Sequence, residues 1–174
     1  SGGVGIGTNS PAATLHINGD VMATSIRWPA RTNYLSVAPA AFHPADHNAS
    51  LWDYENFGSK LEAGSDCSFV APLVLPHGAV VRKLTWSALS RTGADPVQMW
   101  LMRTTVTGDT EASMASLLFV GESGTKSTAT IANATVDNMQ FAYFLELNIA
   151  WSSFSMFPNI IYSVLIEYTT SGPD

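Results

Sequence analysis

Residues 141–149, FAYFLELNI, decide the fold class. Phe141, Tyr143, Leu145, Leu147 and Ile149 fall at every second position, and Ala142, Phe144, Glu146 and Asn148 fill the gaps. A strand turns successive side chains to opposite faces, so this period predicts a β-strand with one face in a core. Outward along the chain the pattern recurs. Residues 160–169 set Tyr162, Val164, Ile166 and Tyr168 against Ile161, Ser163, Leu165 and Glu167. Val97, Met99 and Leu101 alternate with Gln98, Trp100 and Met102. Residues 79–89 read as a long strand with Val80, Leu84, Trp86 and Ala88 on one face, interrupted by Arg82. Further strands are expected at 114–120 and, polar and Thr-rich, at 126–131. The run at 69–75 is broken by Pro72, which has no N–H to give a ladder and so predicts an edge or a bulge.

Pro76-His77-Gly78, Thr107-Gly108-Asp109-Thr110 and residues 121–124 supply the turns. Residues 111–118 have a composition compatible with a helix, but the turns on either side favour a strand. Strands at this spacing predict an all-β fold, an antiparallel β-sandwich of jelly-roll type.

Several of these strands are apolar on both faces. Trp100 and Met102 accompany Leu101, Phe144 accompanies Leu145, Leu89 accompanies Trp86, and Leu165 accompanies Ile166. One face fills the core, and the other needs a covering sheet, loop or subunit.

Composition narrows the class. Charged residues make up 13% of the 174 and hydrophobic ones 46%, against roughly 25% charged in ordinary soluble chains. A surface this poor in charge suits burial in an oligomer. The net charge of −6 and the absence of any basic cluster argue against nucleic-acid binding. No apolar run is long enough for a membrane span, so no membrane insertion is expected. The chain does not begin with Met, which predicts a processed chain or a piece of a longer one. One cysteine, Cys67, excludes an intrachain disulfide and reads as a small buried hydrophobe.

Residues 27–66 read as a linker and a long irregular loop, with short strands near 34–37, 40–42 and 50–54. His43, Asp46 and His47 lie close together, but zinc needs three or four ligands and no further one follows at a familiar spacing. Asp46, Asp53, Glu55, Asn56, Glu62 and Asp66 form an acidic stretch whose hard oxygen ligands suit Ca²⁺, but the EF-hand spacing is absent, and a solvated loop is the reading preferred over a calcium site. No metal and no cofactor is therefore expected. Trp52 and Tyr54 flank Asp53, and flat rings beside a carboxylate are what a sugar-binding surface needs. Such aromatics also serve as clamps on their own core, and Trp151 and Phe154 share that ambiguity. No nucleophile elbow, phosphate loop or His-Glu-x-x-His motif occurs, so no catalytic residue is expected and the chain is read as non-enzymatic. Asn48-Ala49-Ser50 and Asn133-Ala134-Thr135 fit the glycosylation acceptor pattern and read as incidental.

Residues 1–26 form a separate unit. Gly2, Gly3, Gly5 and Gly7 surround Val4 and Ile6, Thr8 to Pro11 make a turn, Leu15 and Ile17 begin a second strand, and Asn18-Gly19 is a hairpin signal. So few apolar side chains cannot offset the cost of ordering the backbone. The segment should be ordered only by packing on copies of itself or on the rest of the chain. Val4-Gly5-Ile6-Gly7-Thr8, Ser10-Pro11 and Leu15-His16-Ile17 resemble the VGIGTxxP…LxV motif of phage tail-fibre and tail-spike proteins and of secreted or surface proteins of bacteria. The resemblance implies a fibrous, usually trimeric assembly, extracellular, on the bacterial surface or in the virion. More loosely, Ala71-Pro72, Leu75-Pro76, Val136-Asp137-Asn138 and Ile166-Glu167-Tyr168-Thr169 resemble β-sandwich domains beside such segments.

The expected organisation is an oligomerisation segment (1–26), a linker and loop (27–66) and a sandwich (67–174). The expected role is a homotrimeric structural subunit of a fibre, its threefold contacts made by Val4, Ile6, Leu15 and Ile17, joined to an upstream shaft. The alternative is a carbohydrate- or receptor-binding sandwich that grips a cell-surface glycan through residues 43–66, with Trp52, Asp53 and Tyr54 as the contacts.

Overall fold

The computed structural model describes residues 3–23, 28–45, 52–55, 58–63, 67–91, 96–149 and 159–171. It divides into a small unit ending at Pro29 and a body from Ala30 to Ser171. The body contains two antiparallel sheets that share one core. The strands are β1 (Val4–Ile6) and β2 (Leu15–Ile17) in the small unit. In the body they are β3 (Arg31–Val37), β4 (His43–Pro44), β5 (Trp52–Glu55), β6 (Lys60–Ala63), β7 (Cys67–Leu73), β8 (Val80–Leu89), β9 (Val97–Thr105), β10 (Glu111–Phe119), β11 (Ser123–Thr128), β12 (Phe141–Ile149) and β13 (Asn159–Thr170).

One sheet runs β10-β9-β12-β7-β4, the other β11-β8-β13-β6-β5, with β3 also paired to β13. The all-β sandwich expected from the alternation is thus the observed fold, and 111–119 is a strand. Inward side chains from both sheets are fully buried, among them Phe69, Leu101, Leu145 and Leu147 from the first and Leu61, Leu84, Trp86 and Ile166 from the second. Trp86 of β8 meets Phe119 of β10 edge to face, 4.9 Å between centroids, and this pair ties the two sheets together.

Three bulges correct the expected faces. Opposite β13, β8 skips Arg82: Lys83 pairs with Glu167 but Val81 pairs with Tyr168. The extra residue flips the phase, so Val81 rather than Val80 is buried with Leu84 and Trp86. Arg82, which in the sequence interrupts an apolar face, lies outside and donates from Nε to Thr169 Oγ1 at 3.1 Å. A second bulge in β13 between Ile161 and Val164 puts both of those residues in the core and moves Tyr162 out of the expected apolar face. In β10 a third lies between Ser113 and Ala115, and Met114 and Ala115 are both buried.

The boundary expected at 67 moves to about 30. Residues 27–66 are no mere linker: β3 and β6 pair with β13, β5 with β6, and β4 with β7. The strand expected at 40–42 is instead a 3-10 turn, Pro39–Ala41, which delivers Phe42 fully buried into the core. Pro72 fits the edge expectation. β4 covers β7 only as far as Val70, so Pro72 meets no partner on that side.

In the small unit β1 and β2 pair in parallel, Val4 with Leu15 and Ile6 with Ile17. The glycines serve close approach. A Cβ on Gly5 would stand 2.4 Å from the Thr8 carbonyl oxygen. Gly7 adopts φ +73, where side chains are strained, and a Cβ there would stand 2.7 Å from the Asn18 oxygen.

Trp86→Ala should cost about 3–5 kcal/mol, because it opens a cavity between the sheets. Its indole N–H has no partner in the core, so Trp86→Phe should cost much less. Urea denaturation followed by circular dichroism checks the order of the two.

Candidate functional site

On the outer face of the five-stranded sheet two of the two-faced strands, β9 and β12, expose their second set of side chains. Strand register places Trp100 opposite Glu146 and Ser116, Met102 opposite Phe144 and Ser113, and Gln98 opposite Asn148 and Leu118. β7 adds Ser68 opposite Asn148, Val70 opposite Glu146 and Pro72 opposite Phe144, and β4 adds His43 opposite Val70. Neighbouring strands lie about 4.8 Å apart, so these residues form a continuous surface. Trp100, Met102, Phe144, Gln98 and Glu146 are half-buried, and Asn148, Ser116 and His43 are exposed.

The chemistry of this face is mixed. An indole, a phenyl ring and a thioether supply flat apolar area. Gln98, Glu146 and Asn148 supply donors and acceptors on the same rows. Asn148 Nδ2 is weakly tied to Ser68 Oγ at 3.4 Å. Among the described residues Glu146 has no cationic partner.

The sites expected in residues 43–66 are placed otherwise. Trp52 and Tyr54 lie on β5, not on a loop. Trp52 packs edge to face on fully buried Phe69 at 5.9 Å and on Tyr54 at 5.2 Å. The Tyr54 hydroxyl donates to the Phe42 carbonyl. Both rings are half-buried and pack against the core, and burial raises the Tyr54 phenol above its ordinary value. These aromatics act as the clamps weighed above. Asp53 is exposed, and one of its oxygens accepts the Tyr54 backbone N–H at 2.7 Å.

Across β5 and β6, Asp53 pairs in register with Glu62, and Glu55 with Lys60. Among the described residues no three metal-binding side chains come together. Asp46, His47, Asp66, Trp151 and Phe154 lie outside the described residues. Cys67 is buried, as expected.

Val4, Ile6 and Leu15 of the small unit are 60%, 56% and 57% exposed, and Ile17 is half-buried. Register and alternation put these four on one face of the parallel pair. Gly5 and His16 lie on the other face.

Two depressions flank Phe141 at one end of the sandwich. One, about 310 Å³, is lined by residues including Pro72, Leu75, Asn138 and Tyr143. The other, about 330 Å³, is lined by Arg103, Asn133, Thr135 and Asp137 among others. The 134–140 segment between them is firmly held. Asp137 N–H donates to the Tyr143 hydroxyl at 2.8 Å, and Asn138 Nδ2 donates to the Leu75 carbonyl at 2.8 Å.

No family model matches the chain, and no curated protein matches it. Among solved structures it is similar to the C-terminal CBM6 of LamC, a marine laminarinase from Zobellia galactanivorans, at 13% identity and TM-score 0.49, over 77% of this chain and 98% of that one. It is also similar to a xylan-binding module, CBM15, at 13% identity and TM-score 0.47, over 79% and 97%. A third likeness is to a chain of the Gx strain of infectious bursal disease virus, at 9% identity and TM-score 0.44, over 91% of this chain and 37% of that one. Likeness of this degree says nothing of what the chain binds.

Glu62 gives a signed pH dependence. Its carboxyl is held above the usual range, first by desolvation and then by the Glu55 charge. A raised folded-state value favours the protonated form, so this group's contribution to stability is greatest in acid and falls as pH rises. Glu62→Gln should therefore raise the melting temperature at pH 7. The gain should vanish as pH falls through the carboxylate range, about 4. Thermal melts across pH 3–7 check this.

Proposed function

We propose that the body is a carbohydrate-binding β-sandwich whose binding surface is the outer face of the five-stranded sheet. One observation carries the reading: half-buried Trp100, Met102 and Phe144 share that face with Gln98, Glu146 and Asn148. A pyranose ring offers an apolar face of C–H groups and a rim of hydroxyls, and this surface offers the complement of both. Trp100 and Phe144 stand on adjacent strands, diagonal to one another, about 7 Å apart at the backbone. That spacing suits two neighbouring units of an extended chain. The role is non-enzymatic and the setting extracellular, where polysaccharides are met.

Trp100→Ala should weaken binding to the neutral polysaccharide that binds best in a panel by tenfold or more, about 1.4 kcal/mol. Isothermal titration and affinity electrophoresis read the change. Trp52→Ala should lower stability through lost packing on Phe69 while leaving the affinity of the folded protein unaltered. The reverse outcome, Trp52→Ala abolishing binding and Trp100→Ala sparing it, returns the site to residues 43–66.

A second reading concerns the small unit, and the open face of Val4, Ile6, Leu15 and Ile17 favours it. Among residues 1–20 only Asp20 carries a full charge, so copies brought together meet little repulsion. We infer that this face packs on its own copies to form a homotrimer continuous with a fibre shaft, on a bacterial surface or in a virion. Light scattering on a size-exclusion column should give three times 18.6 kDa. Ile6→Asp, or deletion of residues 1–20, should give the monomer. A wild-type monomer, or a trimer that survives both changes, removes this reading.

A further inference from the structure

Arg103 lies on the inner face of β9, one step beyond the core row Val97, Met99 and Leu101. Its guanidinium carbon stands 4.1 Å from the centroid of the Phe141 ring. Stacking fixes the plane of the guanidinium but leaves its N–H groups without acceptors. Its Nε is buried and, among the described residues, has no partner. Nor does any described carboxylate or carbonyl accept from its terminal nitrogens. Partly buried cations are normally paired, so the acceptor is wanting from the fold itself.

The space beside it is the open depression of about 330 Å³. Asn133 and Thr135 line it, both exposed, and among the described residues neither side chain has a partner. Asn133 sits at φ +50, a left-handed position that tight turns require. The backbone on either side is pinned: Val81 N–H donates to the Ala134 carbonyl at 2.9 Å, and Gly78 N–H to the Val136 carbonyl at 2.8 Å. Asp137 also lines the depression, but its carboxylate is engaged. One oxygen accepts Met139 N–H at 3.0 Å and the other accepts Gln140 Nε2 at 2.6 Å.

We propose that this depression binds a singly charged carboxylate borne on a hydroxylated ring, the chemistry of a uronic-acid residue. The two terminal nitrogens of Arg103 form a fork that matches a carboxylate. Asn133 and Thr135 serve the ring hydroxyls, as donor and acceptor. The negative charge of Asp137 nearby disfavours dianions such as phosphate or sulfate. A neutral sugar offers hydroxyl oxygens that accept singly, without the charge and the paired oxygens that the fork matches. The site is independent of the outer sheet face, because Arg103 and Phe141 project to the opposite side of the strands from Trp100 and Phe144.

The test is a titration of the isotopically labelled protein with galacturonate, galactose and acetate, read by amide and Arg103 Nε–H resonances. Galacturonate should move the signals of Asn133, Ala134, Thr135 and Arg103 saturably, and added salt should weaken it. Galactose should not move them. Arg103→Lys keeps the charge and loses the fork, and it should weaken galacturonate tenfold or more. Asn133→Gly is compatible with the left-handed backbone and should weaken it by less. Trp100→Ala should leave it unchanged, which separates this site from the sheet face. An equal response to acetate overturns the role of the ring and leaves a site for small free acids. Equal binding of galactose and galacturonate, or undiminished binding by folded Arg103→Lys, overturns it.

Discussion

The pairing of β13 with β8 sets the phase of the sandwich. β13 is the longest strand, and it is bonded on both sides: β8 along one edge, β6 and then β3 along the other. A single residue more or less in either strand would turn its apolar set outward. Each strand takes up one extra residue by a bulge, and the two bulges keep Ile161, Val164 and Ile166 facing the core together with Val81, Leu84 and Trp86. Trp86 then reaches Phe119 on the other sheet. The five-stranded sheet is thereby fixed with its inner row, Met99, Leu101, Leu145 and Leu147, against that core. Its other row is forced outward by the same alternation. The candidate face is thus a consequence of the phase set on the opposite side of the molecule.

What could be read from the sequence followed the uninterrupted periods. β12 and β9 contain no bulge where they pair, and for both the alternation named the inward and outward residues correctly. β8 and β13 read as strands, but simple alternation misplaces their faces beyond each bulge. An apolar pattern with one extra residue looks like noise around Arg82 or Tyr162, and only the partner strand reveals where the residue is absorbed. The strands before residue 67 were understated for another reason. β4, β5 and β6 have two to four residues each, too short for a period to show, and they are strands because β7 offers an edge to β4, β13 to β6 and β6 in turn to β5. The two rings of β5 had two readings in the sequence, ligand contact or core clamp. Phe69 and the Phe42 carbonyl are the partners that decide for the clamp; Phe69 lies 17 residues from Trp52, and Phe42 lies 12 residues from Tyr54. The outer face was legible in part: Trp100, Met102 and Phe144 were visible as apolar residues on the wrong side of their strands. Which polar residues would stand beside them depended on register. Arg103 left no signal, since an arginine at a strand end is ordinary until Phe141 is seen beneath it.

The small unit and the body solve the shortage of charge differently. In the small unit one face of the β1–β2 pair is glycine-backed, and backbone approaches so closely that a side chain at Gly5 would collide with the Thr8 carbonyl oxygen and one at Gly7 with that of Asn18. The other face keeps four branched apolar residues and carries no polar group to satisfy. Such a face is uniform, small and self-compatible, which suits association with identical copies in a closed ring.

The outer face of the body is of another kind. Had it been built for a permanent subunit contact, its centre would be more continuously apolar and poorer in charge, because an unpaired carboxylate in a dry interface is costly. Instead Glu146 lies between Trp100 and Val70, and Gln98 and Asn148 lie in the next row. A protein partner would have to supply an acceptor or donor for each of these at fixed positions while still packing on the rings. A sugar does this by its own constitution, since every pyranose bears hydroxyls around a ring whose faces are C–H. Water also remains at such a surface to bridge what the sugar does not reach. The alternation of ring and amide across β9 and β12 therefore favours a glycan over another subunit as the occupant of this sheet.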